Sequence, residues 1–327
     1  MDLNPNGEEE QVAQAAADFL RRRLPMSRLH ARDDGVVTLP TLREIAQLGW
    51  IGMALDEARG GVGFSVVEEM LVYREIGRVL GPTAVLPLAL AARTAALSGE
   101  DALARKLLNV EIGAGLAFVA PDGVAHVFDG LGAAVCVTVA PDGAAVHRLD
   151  PAACVNRLCL DKSITLAATS LDEARVLARL EEPGIYRAGV LATAAMLTGL
   201  AETALAMSVE YAKVRHTFGR PIGAYQAVRH PCADMAVRCE AARAQLFFAA
   251  VALRDGRDDV AMQLAAAKVL ANAAAVRNAD ASIQLHGGIG ITDEFDAHLV
   301  MKRAQVLSRW FGDDRAALRD LLENRAS

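Results

Sequence analysis

Apolar residues recur every three or four positions through the first hundred residues of the chain. Such spacing places them on one face of a helix, and it predicts an all-α segment from Glu8 to about Leu108. The positions that carry the pattern are Val12, Ala16, Phe19, Leu20, Leu42, Ile45, Leu48, Met70, Tyr73, Ile76 and Val79.

Short β-rich runs replace the helical pattern between Ala114 and about Leu171. The sequence Ala-Pro-Asp-Gly follows two of these runs, at Ala120–Gly123 and Ala140–Gly143. Proline presets φ and glycine accepts a positive φ, so both copies predict hairpin turns. We therefore expect a small antiparallel β domain. Its predicted strands include Leu116–Ala120, Ala133–Ala140 and Ala144–Leu149.

The helical pattern returns from Tyr186 to the end of the chain. Four long apolar segments predict a helical bundle: Leu191–Val214, Ala233–Leu253, Val260–Ile283 and Phe295–Leu307. Gly256 marks a turn between two helices, and Gly287 and Gly288 are expected to end the next helix, where glycine relieves a positive φ. The fold class is then mainly α with a small central β domain, divided at 1–112, 113–180 and 181–327.

Composition limits the class of protein. Hydrophobic residues make up 53% of the 327 residues, enough for a large core, and the net charge is −6. The acidic balance argues against a nucleic-acid surface. The five cysteines include no Cys-x-x-Cys pair, which is typical of free thiols, and we expect no metal site. They are Cys136, Cys154, Cys159, Cys232 and Cys239.

The first residues do not resemble a signal peptide, because Glu8–Glu10 stand where basic residues would precede an apolar run. We therefore expect a cytoplasmic protein. The run from Val79 to Leu97 is the only segment that resembles a membrane span, and Gly81, Pro82 and Arg93 interrupt it. A buried helix is the better interpretation, so no membrane span is expected.

Two C-terminal motifs carry the most specific signal. The segment Tyr211–Ile222 reads Tyr-Ala-Lys-Val-Arg-His-Thr-Phe-Gly-Arg-Pro-Ile, and Gln284–Gly290 reads Gln-Leu-His-Gly-Gly-Ile-Gly. Together they resemble the flavin-gripping C-terminal domain of acyl-CoA dehydrogenases. Leu48–Gly52, Gly60–Gly63 and Glu75–Pro82 resemble the N-terminal helical domain of the same family. The resemblance implies an N-terminal α bundle, a reduced antiparallel β domain and a C-terminal four-helix bundle.

In that family the two motifs grip the FAD that is bound to a neighbouring subunit. The resemblance therefore implies cofactor-binding roles for Arg215, Thr217, Phe218, Gln226, Gln284, Gly287 and Gly288. An arginine offers a planar fork to a pyrophosphate, and a phenylalanine ring can pack against the flavin or adenine. Glutamines supply amide hydrogen bonds, and glycines let the backbone approach a phosphate.

The catalytic carboxylate of the family has no counterpart at either of its usual positions. Counting from Gln284, the position near the C-terminus holds Phe311, and the alternative position early in the helix before Tyr211 holds Gly189. Asp313 is the best substitute base. Asp314 and Glu202 lie nearby, and all three acids also suit helix capping or a solvated face.

A second departure concerns the β domain. The strands that match the family's flavin- and acyl-CoA-binding segments read Leu116–Asp122 and Ala133–Thr138, and they lack the usual binding groups. Some bacterial acyl-CoA dehydrogenases that resemble those of steroid side-chain degradation are α2β2 heterotetramers in which one short subunit lacks part of the active site. This chain looks like that short subunit, which would contribute FAD-binding motifs to a heteromeric site.

The function that the resemblance implies is α,β-dehydrogenation of an acyl-CoA, with FAD as cofactor and an electron-acceptor flavoprotein as a further partner. Two alternatives stay open. The chain could be a non-catalytic nucleotide-binding scaffold, or a self-sufficient homomeric dehydrogenase with Asp313 as base. His286, beside the glycine turn, could contact the adenine or a phosphate, but a structural histidine at a helix end is the better interpretation, and His298 is interpreted in the same way.

Overall fold

The computed structural model describes residues 5–30, 35–171 and 176–323. Within these residues the N-terminal part contains five α-helices: α1 (Gly7–Arg23), α2 (Leu39–Gln47), α3 (Val66–Arg78), α4 (Val85–Leu97) and α5 (Asp101–Leu108). The Asn6 side chain caps α1 by accepting hydrogen bonds from the amides of Glu8 and Glu9. The predicted all-α segment is confirmed.

Contacts divide the chain into two compact units that do not follow its order. The first unit comprises Met1–Met26, Met70–Gly81 and Val190–Ser327, and the second comprises Ser27–Glu69 and Pro82–Gly189. The three domains proposed from the sequence, with boundaries after residues 112 and 180, stay a prediction.

The second unit is built on a seven-stranded sheet within the described residues. Its strands are β1 (Ala114–Val119), β2 (Val124–Phe128), β3 (Val135–Ala140), β4 (Gly143–Arg148), β5 (Val155–Arg157), β6 (Leu166–Ser170) and β7 (Val176–Leu180). They lie in the order β5-β6-β2-β1-β3-β4-β7. Ala117, Val127, Cys136 and Ala167 form the core of the sheet.

The sheet is mixed, whereas the sequence predicted an antiparallel one. Strands β1 and β3 pair in parallel, with Ala114 opposite Val135, while the other pairs are antiparallel. The reason is the path of the chain. Strand β2 returns beside β1, and the chain then crosses to the other side of β1, so β3 runs in the direction of β1.

Both hairpins predicted from the Ala-Pro-Asp-Gly copies are confirmed. The first turn joins β1 to β2, and Gly123 in it has a φ of +83°. The second turn joins β3 to β4, where Ala140 lies opposite Gly143. Strands β2, β5, β6 and β7 were not predicted, because they are short and β5 is exposed along its whole length.

The apolar run at Val79–Leu97 forms a buried helix, as predicted. Helix α4 packs against β1, β3, β4 and β7, and every residue from Val85 to Ala96 is buried. Arg93 on this helix pairs with Glu69 at 2.7 Å. The expectation that no other segment resembles a membrane span was wrong. One helix of the described residues, Gly184–Val214, is long and apolar enough by composition, although 72% of its most apolar window is buried within the protein.

Five α-helices of the described residues follow in the C-terminal part of the chain, and the first unit includes this part from Val190 onward. They are α6 (Gly184–Val214), α7 (Gln226–Arg254), α8 (Val260–His286), α9 (Ala297–Leu307) and α10 (Asp314–Glu323). Small residues let α6, α7 and α8 approach closely, since Ala201, Cys239, Ala242 and Ala274 form a core cluster. The four helices predicted from apolar spacing are confirmed. Helix α10 is additional.

Ion pairs join α3 to α6 within the first unit. Arg74 binds Glu202 at 2.7 Å, and Arg78 binds the same carboxylate at 2.7 Å and Glu75 at 2.9 Å. Burial raises the pKa of Glu75 despite Arg78. Because Glu202 is held by two arginines, it is part of a structural ion-pair network.

Candidate functional site

The first motif forms the end of α6 and a small hairpin. Strands β8 (His216–Thr217) and β9 (Arg220–Pro221) pair across a two-residue turn. Phe218 and Gly219 in the turn have φ values of +49° and +80°, which is the pattern of a type I′ turn. A positive φ strains a bulky residue, and the Phe218 side chain is 97% exposed. The turn therefore presents an aromatic ring to the surroundings at an energetic cost.

The hairpin is held rigidly at its base. The Ile222 amide donates to the Arg215 carbonyl at 2.7 Å, and the Tyr225 hydroxyl donates to the Thr217 carbonyl at 3.1 Å. The guanidinium of Arg220 lies 4.1 Å from the centre of the Tyr225 ring, which is a cation–π contact. Phe218 and Thr217 are thus fixed in place before any ligand binds.

Arg215 directly precedes the hairpin, and its side chain is exposed. Its guanidinium makes no hydrogen bond or ion pair within the described part of the chain. It differs in this from Arg74 and Arg78, which are paired with Glu202. Arg215 is available to bind an anion such as a phosphate.

The second motif is the end of α8. Gln284 lies in its last turn with an exposed side chain, and α8 ends at His286 because Gly287 adopts a φ of +64°. A Cβ atom placed on Gly287 or Gly288 would have no heavy atom within 4 Å. The space beside both glycines is open, so another molecule can approach this backbone.

Aromatic rings bring the two motifs together. The Tyr211 and His286 rings lie 4.3 Å apart between centroids, and the His286 and Phe295 rings are also 4.3 Å apart. Tyr211 is one helical turn before Arg215, and His286 directly precedes Gly287. The stack therefore fixes the arginine end of α6 against the glycine end of α8.

Both histidines near the glycine turn are held by hydrogen bonds to backbone carbonyls. His286 is buried, its Nδ1–H donates to the Ser282 carbonyl at 2.6 Å, and burial lowers its pKa. His298 donates in the same way to the Phe295 carbonyl at 2.8 Å, and burial lowers its pKa too. The Nε2 atom of His286 is buried without a hydrogen-bond partner.

Gln226 is the first residue of α7, and its side chain is exposed. The short segment Ile222–Ala224 separates it from the hairpin. The structure thus places Gln226 at the start of the neighbouring helix, with its amide free to meet a ligand.

The position that the resemblance implies for the family's catalytic carboxylate lies in the turn between α9 and α10. Phe311 there is 5% exposed and has a φ of +54°. Asp313 next to it caps α10, because its carboxylate accepts from the Ala316 amide at 3.0 Å. This hydrogen bond, with Arg309 at 3.6 Å, holds the pKa of Asp313 below its usual value. A lowered pKa makes Asp313 a weaker base at neutral pH.

The other candidate acids also have hydrogen-bond or ion-pair partners within the chain. Asp314 accepts a hydrogen bond from the Asn272 side chain at 2.7 Å, and Glu202 belongs to the arginine network. Gly189, in α6, has no titratable group. In the β domain Asp122 accepts from the Val124 amide at 3.1 Å, which is a turn contact.

Sequence analysis missed one unusual residue near the base position. Lys268 on α8 is buried, and its ammonium donates to the Gly312 and Ser308 carbonyls at 3.1 and 3.2 Å. A single lysine within an alanine-rich run is the signal that could have indicated it.

Comparison with known proteins agrees with this geometry. The family model for the acyl-CoA dehydrogenase C-terminal domain matches residues 186–325, and that for the N-terminal domain matches residues 6–110. Acyl-CoA dehydrogenase IpdE2 of Mycobacterium tuberculosis is 34% identical over 277 residues, which are 84% of this chain and 83% of that protein. The chain belongs to the acyl-CoA dehydrogenase family.

A second relative is much longer. Acyl-CoA dehydrogenase FadE34 of M. tuberculosis is 35% identical over 301 residues, which are 86% of this chain and only 41% of FadE34. Among solved structures, the ChsE4–ChsE5 complex from M. tuberculosis has a TM-score of 0.84 at 21% identity, covering 100% of this chain and 99% of that one. A Tcur3481–Tcur3483 steroid ACAD has a TM-score of 0.80 at 24% identity and 98% coverage of both chains.

Acyl-CoA dehydrogenases are FAD-dependent oxidoreductases that act on acyl-CoA, and this chain is an oxidoreductase of that family. Its residues fit the cofactor. Exposed Arg215 suits a pyrophosphate, and the open space at Gly287 and Gly288 admits one. Phe218 and the amides of Gln226 and Gln284 are also exposed rather than enclosed.

The turn with Phe311, which the resemblance implies as the base position, does not lie beside these motifs. It contacts Lys268 in the first half of α8, sixteen residues before Gln284. A helix rises 1.5 Å per residue, so about 24 Å separate Lys268 from Gln284 along α8. Within one chain, the glycine turn of the second motif and the turn with Phe311 therefore lie at two separate points along α8.

Proposed function

We propose that this chain is a subunit of an FAD-dependent acyl-CoA dehydrogenase and that it contributes its two motifs to a flavin held at an interface with a sister chain. The observation that carries the proposal is Phe218. The backbone of Phe218 is strained and the residue is 97% exposed, so packing within this chain does not compensate for the strain. It gains packing if a neighbouring subunit covers it.

Each motif residue has a physical task in such a site. The guanidinium of Arg215 would donate two hydrogen bonds to the pyrophosphate, and the backbone at Gly287 and Gly288 would approach it closely. Gln226 and Gln284 would orient the cofactor through their amides, and Thr217 through its hydroxyl. Bound FAD supplies the acceptor for the hydride that leaves the β-carbon of the acyl group.

The proton on the α-carbon needs a base, and this chain offers a poor one. Phe311 and Gly189 have no titratable group, and the pKa of Asp313 is lowered by its capping role. We therefore place the base on the sister chain. The heteromeric ChsE4–ChsE5 neighbour supports this assignment, as does FadE34, in which more than half of the length lies outside the matched region.

The substrate that we propose is the CoA thioester of a bulky, steroid-derived acyl chain. The Tcur3481–Tcur3483 steroid ACAD shares the fold, and glycine at position 189 has no side chain where the resemblance implies a carboxylate in other members of the family. Electrons would pass from the reduced flavin to an electron-acceptor flavoprotein.

Flavin binding by co-expressed chains tests the heteromeric site. The chain purified with its sister should retain FAD, and Arg215→Gln should weaken FAD binding about tenfold to a hundredfold, since a charge-assisted hydrogen bond contributes about 1.5–3 kcal/mol. Arg215→Lys should recover only part of the loss, because lysine lacks the planar fork. Arg243→Gln is the matched control, because Arg243 is an exposed arginine that pairs with exposed Glu240, away from the two motifs in sequence. Equal flavin content in all four proteins would overturn the proposal.

A second candidate is a self-sufficient enzyme that uses Asp313. It is favoured by the place of Asp313 in the base-position turn, where the side chain is partly exposed. Asp313→Asn distinguishes the two, because asparagine also caps a helix. If Asp313 is the base, turnover falls by orders of magnitude. If the sister chain supplies the base, turnover of the assembled enzyme stays within a fewfold of the original.

A further inference from the structure

A cavity of about 470 Å³ lies beside the base of the hairpin, within the first unit, and none of the seven motif residues lines it. Three parts of the chain enclose this cavity: the last turns of α6, strand β9 with the residues that follow it, and the first turns of α7. Cavities that bind small molecules in proteins measure about 300–1,000 Å³. We call this one the α6–α7 cavity.

Apolar side chains form most of the lining. Val209 and Ala212 line the cavity from α6, Pro221 from β9 and Val228 from α7. Gly223 closes one side, where its backbone lies so near α6 that an added Cβ would be 3.0 Å from the Ala212 carbonyl oxygen. Such a concave apolar surface favours a ligand with an apolar body, because binding removes that surface from water.

The same lining carries positive charge. Lys213 and Arg229 line the cavity, and none of the described lining residues is an acid. Lys213 already pairs with exposed Glu210 at 2.6 Å. Arg229 is exposed, and its guanidinium has neither a hydrogen-bond nor an ion-pair partner among the residues that the structure describes. In a chain of net charge −6, this local excess of cations selects an anionic group.

A thiol completes the lining. Cys232 lies on α7, about one turn after Arg229, and is half-buried. Burial raises the pKa of its thiol, so the nucleophilic thiolate is scarce at neutral pH. The cavity is therefore suited to reversible binding rather than to covalent attachment, and the thiol can report whether the cavity is occupied.

The occupant of the cavity must provide an apolar body and an anion together. Among protein side chains, the large apolar ones carry no charge, and the carboxylates of aspartate and glutamate stand on short stems. A carboxylic acid with a large hydrocarbon part provides both features in one molecule. Charge complementarity to Arg229 therefore favours a small molecule over a side chain of another subunit.

We propose that the α6–α7 cavity binds a free carboxylic acid with a large apolar body, and that Arg229 holds the carboxylate. The hydrocarbon part lies against Val209, Ala212 and Val228. Hydrolysis of an acyl-CoA thioester releases acids of this class, so the cavity responds to the free form of the acyl group on which the family acts. The proposal is independent of the flavin site, because one chain supplies the whole cavity.

Calorimetric titration of the full chain with dodecanoate tests the proposal. We expect one dodecanoate to bind per chain. Dodecanol, which has the same hydrocarbon chain without the charge, should bind about tenfold more weakly or less. Arg229→Gln should weaken dodecanoate binding about tenfold to a hundredfold, because a charge-assisted hydrogen bond is lost, and should leave dodecanol binding unchanged. Arg243→Gln is the matched control on the same helix and should bind both ligands as the original chain does.

Two further measurements locate the bound acid. Val228→Trp fills the cavity and should abolish binding of both ligands. In the unchanged protein, saturating dodecanoate should slow the alkylation of Cys232 by N-ethylmaleimide, as measured by peptide mass spectrometry. Alkylation of Cys159, which is half-buried in the second unit, should keep its rate. This second measurement decides the matter even if Val228→Trp does not fold.

The outcomes separate the possible occupants. Tighter binding of dodecanoate or of cholate supports the proposal and shows whether the apolar body is linear or polycyclic. Absence of binding by both acids, equal binding of dodecanoate by Arg229→Gln, or an unprotected Cys232 refutes it. If a sister chain protects Cys232 in the assembled enzyme while neither acid binds the chain alone, the cavity is a subunit interface and the proposal is wrong. Flavin content enters none of these results.

Discussion

Two phenylalanines in this chain hold backbone conformations that favour glycine. Phe218 has a φ of +49° and Phe311 a φ of +54°, and each such conformation costs about 1–3 kcal/mol. At Phe311, burial and the hydrogen bonds of Lys268 to the Ser308 and Gly312 carbonyls compensate. The ring of Phe218 is 97% exposed, so the compensating contact is expected from a second molecule.

Phe218→Asn separates stability from flavin binding. Asn-Gly is the preferred sequence of a type I′ turn, so the substitution should raise the free energy of unfolding of the chain alone by up to about 1 kcal/mol. Flavin uptake by the assembled enzyme should fall, because the ring is lost. Thermal unfolding and flavin absorbance measure the two effects. A loss of both stability and flavin would show instead that Phe218 supports the fold of its own chain.

At the level of elements, α3 and α6 cross with their backbones in contact. A Cβ atom on Gly77 would lie 2.1 Å from the Met196 carbonyl oxygen, and one on Gly199 would lie 2.1 Å from the Arg74 carbonyl oxygen. Neither backbone oxygen can move without shifting its helix. The close approach also positions Arg74 and Arg78 for their ion pairs with Glu202.

Gly77→Ala should therefore destabilise the chain strongly. Overpacking costs about 1–3 kcal/mol where side chains can adjust, and a backbone clash puts this position at or beyond the upper end of that range. Gly184→Ala is the matched control, because nothing lies within 4 Å of its added Cβ. Alanine there should be neutral or stabilising by up to about 1 kcal/mol. Urea unfolding measures both, and equal midpoints would contradict the close crossing.

The free energy of unfolding of the chain should depend on pH because of Lys268 on α8. The pKa of Lys268 is about 7 in the folded chain and 10.5 in the unfolded one. Between these values the unfolded chain keeps a proton that the folded chain loses, so the free energy of unfolding rises with pH by up to about 1.4 kcal/mol per unit. This contribution is lost progressively as the pH falls from about 10.5 to about 7.

The Lys268→Met variant should lack that rise. The free energies of unfolding of the original chain and the variant should therefore diverge between pH 7 and 10. Urea unfolding at intervals of one pH unit tests it, and parallel profiles would contradict it.

For the whole molecule, the sequence predicted features that depend on local chemistry. The Pro-Asp-Gly turns and the long apolar helices are set by neighbouring residues, and they were found. The parallel pairing of β1 with β3 depends on where the chain crosses, which local spacing does not record. The role of Lys268 also escaped, because its partners at Ser308 and Gly312 are backbone carbonyls 40 and 44 residues further along the chain.

The cofactor-binding roles of Arg215, Gly287 and Gly288 stay predictions, because they rest on residue type and on the family resemblance. Their position relative to the turn with Phe311 was not recognisable from the sequence. In the structure that turn contacts α8 at Lys268 and the glycine turn follows the end of the helix, about 24 Å further along it.

Flavin stoichiometry tests the assembly. If this chain completes sites on a sister chain and lacks a complete site of its own, an α2β2 complex should hold two FAD rather than four, that is, one per pair of different chains. Native mass spectrometry measures chains and flavins in the same particle. The chain purified alone should be colourless, because its exposed motifs need a partner to enclose the cofactor. A yellow particle made of this chain alone would contradict the shared site and favour the self-sufficient enzyme.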